Sequence, residues 1–178
     1  MTSPIGTARR PVVETTVWSA ARKFPTGVSV VTVGSGDAVH GSTVSAFSFV
    51  SHEPPLISVC LQNDSSLLPR ITQQGVFTVN VLAAHQSALA RHFASRSRSP
   101  GRAQFQGVQW TPGEDGVPRL RSALSWLHCR VHERVPAGDH MVVLATVTAC
   151  AAESDRAPLL YFAGHLHPGH IRIEEETT

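Results

Sequence analysis

Short apolar runs separated by turn residues set the pattern of this chain. Val28–Val33 (VSVVTV), Ser42–Val50 (STVSAFSFV), Pro55–Leu61 (PLISVCL) and Val76–Leu82 (VFTVNVL) are rich in β-branched and aromatic residues and bounded by Gly, Pro, Asn or Asp, so each predicts a strand. Trp126–Val135 and Met141–Ala151 predict two further strands joined by Pro136–His140, and Pro158–Ala163 (PLLYFA) a last one. Helical spacing is confined to three places. Glu14–Phe24 puts Val17, Ala20, Ala21 and Phe24 on one face, Ser65–Ile71 makes one or two turns stopped before Gly75, and His85–Phe93 aligns Leu89 with Phe93. Ala94–Ala103 contains the run SRSRSPGR, without an apolar residue, and reads as a mobile, solvated loop. Met1–Val13 reads as a loose arm, and an acidic tail follows His170. The pattern has no internal repeat and no domain boundary, so a single domain over residues 1–178 is expected, with its core at about 15–164. Many strands and few helices predict a mainly β, closed or nearly closed barrel.

Composition narrows the possibilities. With 42% hydrophobic and 16% charged residues the chain can build a core and is not a disordered one. A net charge of +2 gives no basis for a nucleic-acid partner, and the arginines at 96, 98 and 102 lack interleaved aromatics. No apolar segment is long enough to span a bilayer, and the N-terminus lacks the apolar core of a signal peptide, so a cytoplasmic protein is expected. Cys60, Cys129 and Cys150 stand singly in apolar runs, the pattern of buried, reduced thiols. His165, His167 and His170 form HLHPGH, where an i, i+2 pair on a strand puts two imidazoles on one face. No cysteine or carboxylate lies close by in sequence to complete a metal site, and a surface cluster without metal is the reading taken.

The candidate chemistry lies between His40 and Ser66. Ser42, Thr43, Ser45 and Ser48 are mixed with Val44, Ala46, Phe47 and Phe49, which lets some side chains pack a core while short hydroxyls face a flat ligand. The following Gln62-Asn63-Asp64-Ser65-Ser66 leads into a helix starting near Leu67, an arrangement suited to a phosphate. The same serines also fit plainer roles, as solvent-facing strand residues and as a helix cap. No Ser-His-Asp set and no paired carboxylates are present.

In this order, FPTGVSVVTV (Phe24–Val33), GSTVSAFSFVSHEPPLISVCL (Gly41–Leu61), FTVNVL (Phe77–Leu82), QSALARHFA (Gln86–Ala94), GDHMVVLATV (Gly138–Val147) and PLLYFAG (Pro158–Gly164) resemble the flavin reductase family of the FMN-binding split-barrel fold, the reductase partners of two-component flavin-dependent monooxygenases. The resemblance implies a homodimeric split β-barrel with FMN, or FAD, in a groove near the subunit interface, and NADH or NADPH as co-substrate. It implies that Thr43, Val44, Ser45 and Ala46 face the isoalloxazine ring and ribityl chain, that Cys60 and Leu61 border the ring, and that Asn63, Ser65 and Ser66 lie near the phosphate. By the same resemblance, Pro25 and Thr26 would approach from the neighbouring strand start and Phe93 from the helix, while His140 in the Gly-Asp-His turn would lie on the nicotinamide side, as the catalytic or orienting group. The reaction implied is hydride transfer from reduced nicotinamide to flavin, whose product serves a separate monooxygenase. The chain departs from the pattern after Gly164, where Leu166 replaces an expected tyrosine and His165 is the nearest polar substitute. That departure leaves room for a second reading, a flavin-binding protein without pyridine-nucleotide turnover that acts as a carrier, sensor or redirected enzyme.

Overall fold

The structure, a computed structural model, describes residues 14–170; the predicted N-terminal arm and acidic tail lie outside the described residues. The elements are α1 (Glu14–Ala21), β1 (Thr26–Gly27), β2 (Ser29–Val33), β3 (His40–Val44), β4 (Phe47–Ser51), β5 (Leu56–Gln62), α2 (Leu67–Gln74), β6 (Val76–Val81), α3 (Ser87–Ala94), β7 (Trp110–Pro112), β8 (Pro118–Leu120), β9 (Ser125–Ala137), β10 (His140–Ala152), β11 (Leu159–Phe162) and β12 (His165–Pro168). Among the described residues no helix is long and apolar enough to cross a membrane.

Seven strands form one antiparallel sheet in the order β3-β2-β6-β9-β10-β5-β4. The two outermost strands, β3 and β4, follow one another in the chain with only Ser45 and Ala46 between them. A sheet whose first and last strands are joined by two residues has to curl back on itself, and the barrel follows from that connection. β3 and β4 are not paired with each other, so the barrel is split along this seam. β5 shows the alternation of a half-buried strand, and its Ile57, Val59 and Leu61 fill the interior with Val31, Val33, Phe77, Val79 and Val143. β2 is buried at every position because both its faces are covered. Its Val30, with the preceding Val28, packs outward against Leu82, Ala90, Phe93 and Phe105. The sequence therefore shows a continuous apolar run there instead of an alternation.

α2 carries Pro69 in its first turn, where the missing N–H is not needed, and ends at Gly75. Gly75 adopts φ 70° and donates its N–H to the Ile71 carbonyl, a left-handed helix stop that glycine provides without strain. A separate three-stranded sheet, β1-β11-β12, lies at the barrel's edge.

The structure corrects three expectations. The run Ser42–Val50, expected as one strand, is broken at Ser45 and Ala46 into β3 and β4, which lie at opposite ends of the sheet order. Only Cys129 is buried; Cys60 is half-buried and Cys150 exposed. Burial, with Cys150 nearby, pushes the Cys129 thiol up to about 12, which keeps it an inert apolar filler. The arginine-rich segment after α3 is also not a solvated loop throughout, because Arg98 is half-buried and folds back onto β3.

Candidate functional site

Two adjoining cavities with opposite character flank β3. The first, of about 440 Å³, is mainly apolar and is walled by Val28, Ala90, Tyr161 and Leu166, with Thr43, Ser45, Arg91 and His165 at its polar margins. The second, of about 450 Å³, is polar, with Ser65 and Ser66 on one side and Arg70, Arg96 and Arg98 around it. Thr43 and Ala94 line both. A ligand spanning the two has an apolar, flat end and an anionic end.

Thr43 stands at the junction. Its hydroxyl donates to the Ala90 carbonyl of α3 at 2.7 Å, so towards a ligand it offers only lone pairs. Ser45, just past the end of β3, also lines the apolar cavity, with its hydroxyl free of protein partners among the described residues. Thr26, opposite Tyr161 in the β1–β11 ladder, has a buried hydroxyl without a hydrogen-bond partner. An orphaned hydroxyl at this edge fits a site that a polar ligand completes.

The polar end is built by three elements. α2 begins beside it, with the Leu67 N–H donating to the Ser65 hydroxyl at 3.2 Å. The Ser66 hydroxyl does not cap the helix; it meets His40 Nε2 at 3.1 Å. From the segment after α3, Arg98 donates to the Gly41 carbonyl at 2.7 Å and to the Ser95 carbonyl, partners that leave its charge unneutralised. Arg96 reaches across to Asp64 at 3.1 Å and to the Gln62 side-chain oxygen at 3.0 Å. His40 is buried at the back of the cavity. Desolvation, then the charges of Arg98 and Arg70, lower it to about 4, so the imidazole is neutral at physiological pH. Of the three arginines only Arg96 has a carboxylate partner among the described residues, and the cavity carries the positive excess that a phosphate requires.

Of the residues expected to bind, the structure brings Thr43, Ser45, Ser65 and Ser66 onto these two cavities. The side chains of Val44, Leu61 and Phe93 are in the cores, with Phe93 packed over Gly41 and Phe105. Ala46 is exposed at the seam, and its carbonyl accepts from the N–H of the half-buried Cys60 at 3.0 Å. Pro25 is exposed. Asn63 turns towards the Gly138 carbonyl, 3.2 Å from its Nδ2. His140 pairs with Gln62 across the β5–β10 ladder, which puts it near the polar end of its own chain and not among the residues of the apolar cavity. Its Nδ1 lies 2.7 Å from Asp139 Oδ1, and that hydrogen bond, with the imidazole's charge, holds the Asp139 carboxyl below its ordinary range.

His40, Arg70 and Arg98 were missed in the sequence, although His40 opens the stretch identified there. Leu166 and His165, the departure noted after Gly164, both reach the apolar cavity. His165 and His167 share a strand with their rings 6.4 Å apart, and among the described residues no three His, Cys, Asp or Glu side chains converge as a metal would need.

Residues 21–170 match the family described as flavin reductase like domain. The chain belongs to the flavin reductase family. This flavin reductase is 41% identical over 142 residues to an NADH-dependent FAD reductase of Streptomyces globisporus, a match covering 79% of this chain and 78% of that one. It is 39% identical over 142 residues to an NADH-dependent FMN reductase of Streptomyces nodosus subsp. asukaensis, covering 79% and 77%. Among solved structures it is similar to the flavin reductase component of a bacterial two-component tryptophan halogenase, with a TM-score of 0.84 and 34% identity over 90% of this chain and 100% of that one. The NADH:FAD oxidoreductase of Streptomyces globisporus in complex with NAD and FAD fragments is similar as well, with a TM-score of 0.81, 33% identity, and 95% and 98% coverage. These matches place the fold among the split barrels of that family.

Proposed function

We infer that the protein is an NAD(P)H-dependent flavin reductase that supplies reduced flavin to a separate monooxygenase or halogenase. The observation that carries this reading is the pair of cavities sharing Thr43 and Ala94, one apolar and one lined by unneutralised arginines and serines. A flavin nucleotide has the matching parts, a flat apolar ring and a phosphate joined by a polyhydroxyl chain. When bound it supplies the hydride acceptor, taking hydride from C4 of a reduced nicotinamide at its N5.

The protein's work is to place and to hold. Val28, Ala90, Tyr161 and Leu166 exclude water from the ring's position, and Thr43 and Ser45 orient the polar edge of the ring and the ribityl chain. Ser65, Ser66, Arg70 and Arg98 hold the phosphate. FMN is favoured over FAD, on the TVSAF form of the motif at Thr43–Phe47. NADH or NADPH is the co-substrate, drawn from the cytoplasm. His140, exposed enough to meet a ligand and tied to Asp139, is assigned to orienting the nicotinamide. It lies away from the apolar cavity of its own chain, so this role requires a second copy to bring it there. Trp18, Phe24, Phe49 and Val50 leave large apolar side chains exposed, the surface that a homodimer covers.

The test is loss of reduced-nicotinamide absorbance in air as FMN or FAD is titrated into the purified protein. Saturable, flavin-dependent consumption is expected, with FMN saturating at the lower concentration. Flavin binding without consumption of either nucleotide would instead support the carrier or redirected-enzyme reading. Light scattering during size-exclusion chromatography is expected to give twice the chain mass.

A further inference from the structure

We propose that a third cavity, beside the β7–β8 hairpin, is a binding site for a small molecule carrying a carboxylate or a phosphate. It has a volume of about 440 Å³ and shares no lining residue with the two cavities assigned to the flavin. Its polar walls are Thr111 of β7, Arg119 of β8, Arg121 and Ser122 just past β8, Trp126 of β9, and Glu153 just past β10.

Arg119 organises the cavity. It is the ladder partner of Thr111, which puts both side chains on one face of the hairpin. Its guanidinium lies over the Trp126 ring, with Cζ 4.4 Å from the ring centroid, a stacked cation–π contact that holds the side chain in place. Gly113 flanks it, and a Cβ there would come 2.9 Å from Nε. Nε is buried without a hydrogen-bond partner, so the donors left for a ligand are the two Nη groups, which also have no partner among the described residues. Stacking accounts for where the guanidinium lies but not for its unpaired Nε, a loss that an anion held on both Nη groups offsets.

The acid that could have neutralised Arg119 is engaged elsewhere. Glu153 Oε1 accepts from Trp126 Nε1 at 2.8 Å, and among the described residues neither Arg119 nor Arg121 has a carboxylate partner. One carboxylate against two guanidiniums leaves the cavity with a positive excess. Ser122 adopts φ 62°, a left-handed conformation that costs energy in a residue other than glycine and that clusters at binding sites. Its hydroxyl and that of Thr111 are free of protein partners among the described residues. Two forks and two hydroxyls, all unclaimed, match the oxygens of a carboxylate or phosphate, and the cavity is large enough to take the organic body that bears it.

The test uses FMN-loaded protein, whose polar cavity is already filled, titrated with sodium phosphate and with benzoate. ¹H–¹⁵N spectra follow Arg119 Nε–H and Trp126 Nε1–H. One probe or both should move the two signals saturably; benzoate alone identifies a carboxylate ligand and phosphate alone a phosphate. Sodium chloride at equal ionic strength and uncharged benzamide should move neither. Arg121→Gln alters an exposed side chain and Arg119→Lys keeps the stacked charge while losing the fork; each should weaken binding about tenfold or more and leave flavin reduction unchanged. No response to either probe overturns the proposal, as does a response that chloride or benzamide reproduces. Binding that survives both substitutions overturns it as well.

Discussion

Gly41 links the core to the candidate site at the scale of one residue. A Cβ built there would come 2.7 Å from Cε1 of Phe93, which already packs against Phe105 with ring centroids 5.2 Å apart. Gly41→Ala forces that ring aside and is expected to cost ~1–3 kcal/mol, the usual cost of overpacking a filled core. A melting temperature several degrees lower in thermal denaturation checks it; an unchanged one would mean that Phe93 can swing clear. The strain also reaches the anion cavity, because the Gly41 N–H holds Gln104 and its carbonyl receives Arg98. Thr43 and Ser45 were legible in the sequence as ligand-facing hydroxyls because short hydroxyls are mixed there with packing residues. Alternation along β3 turns Val44 into the core. Phe93 was not separable from a ligand contact by sequence, since an aromatic residue on an amphipathic helix serves either purpose until its neighbours are known.

Among the elements, the segment between α3 and Gly101 departs most from its sequence. Its composition is that of a solvated loop, yet Arg98 finds backbone carbonyls on β3 and at Ser95, and the His92 side chain holds the Gln104 carbonyl at 2.6 Å. Carbonyl partners leave no mark in a sequence, so this anchoring could not be read from charge patterning. Arg96 completes the strap at its outer edge through Asp64 and Gln62, in a setting where both charged side chains are largely exposed. An ion pair of that kind contributes at most ~1 kcal/mol to stability. Arg96→Ala is therefore expected to leave the denaturation midpoint almost unchanged while raising the FMN dissociation rate several-fold in stopped-flow fluorescence; equal rates would show that the strap does not cover the phosphate. The long strands, by contrast, were legible almost to their ends, because β-branched runs and Gly or Pro punctuation record them directly. The break at Ser45 and Ala46 that divides β3 from β4 was not, since the run Ser42–Val50 carries no Gly or Pro there, and the short β1, β7 and β8 were not read as strands. β12 is a further exception, since its HLHP offers no β-branched residue and its strand character comes from pairing with β11.

For the whole molecule, pH acts through His40. Its pKa in the fold is about 4, below the ordinary 6.5, because it is buried and faces Arg98 and Arg70 as well as the uncharged Gln104 and Ser66. A lowered histidine pKa means that the unfolded chain takes up a proton below pH 6.5 while the folded one does not until about pH 4. The contribution of His40 is thus complete above pH 6.5 and is lost as pH drops towards 4, by at most ~3 kcal/mol. Denaturant titrations of wild type and His40→Gln at pH 7.5 and 5 should show the wild type losing more, and identical losses would sink the account. That the chain makes a barrel was legible from the number of strands. Where it splits was not, because the seam depends on which strands end up outermost, and strand order is set by the whole packing. The two cavities have a further consequence. Their walls come from β3, from α3, from the small sheet and from the segment leading into α2, so a molecule lying across this gap acts as a rivet between parts that no single ladder joins. A strong rivet makes a vault, which keeps its flavin; a weak one makes a dispenser, which hands reduced flavin on and reopens for the next. The grip across this gap sets how quickly the product leaves, and so which of the two trades the protein follows.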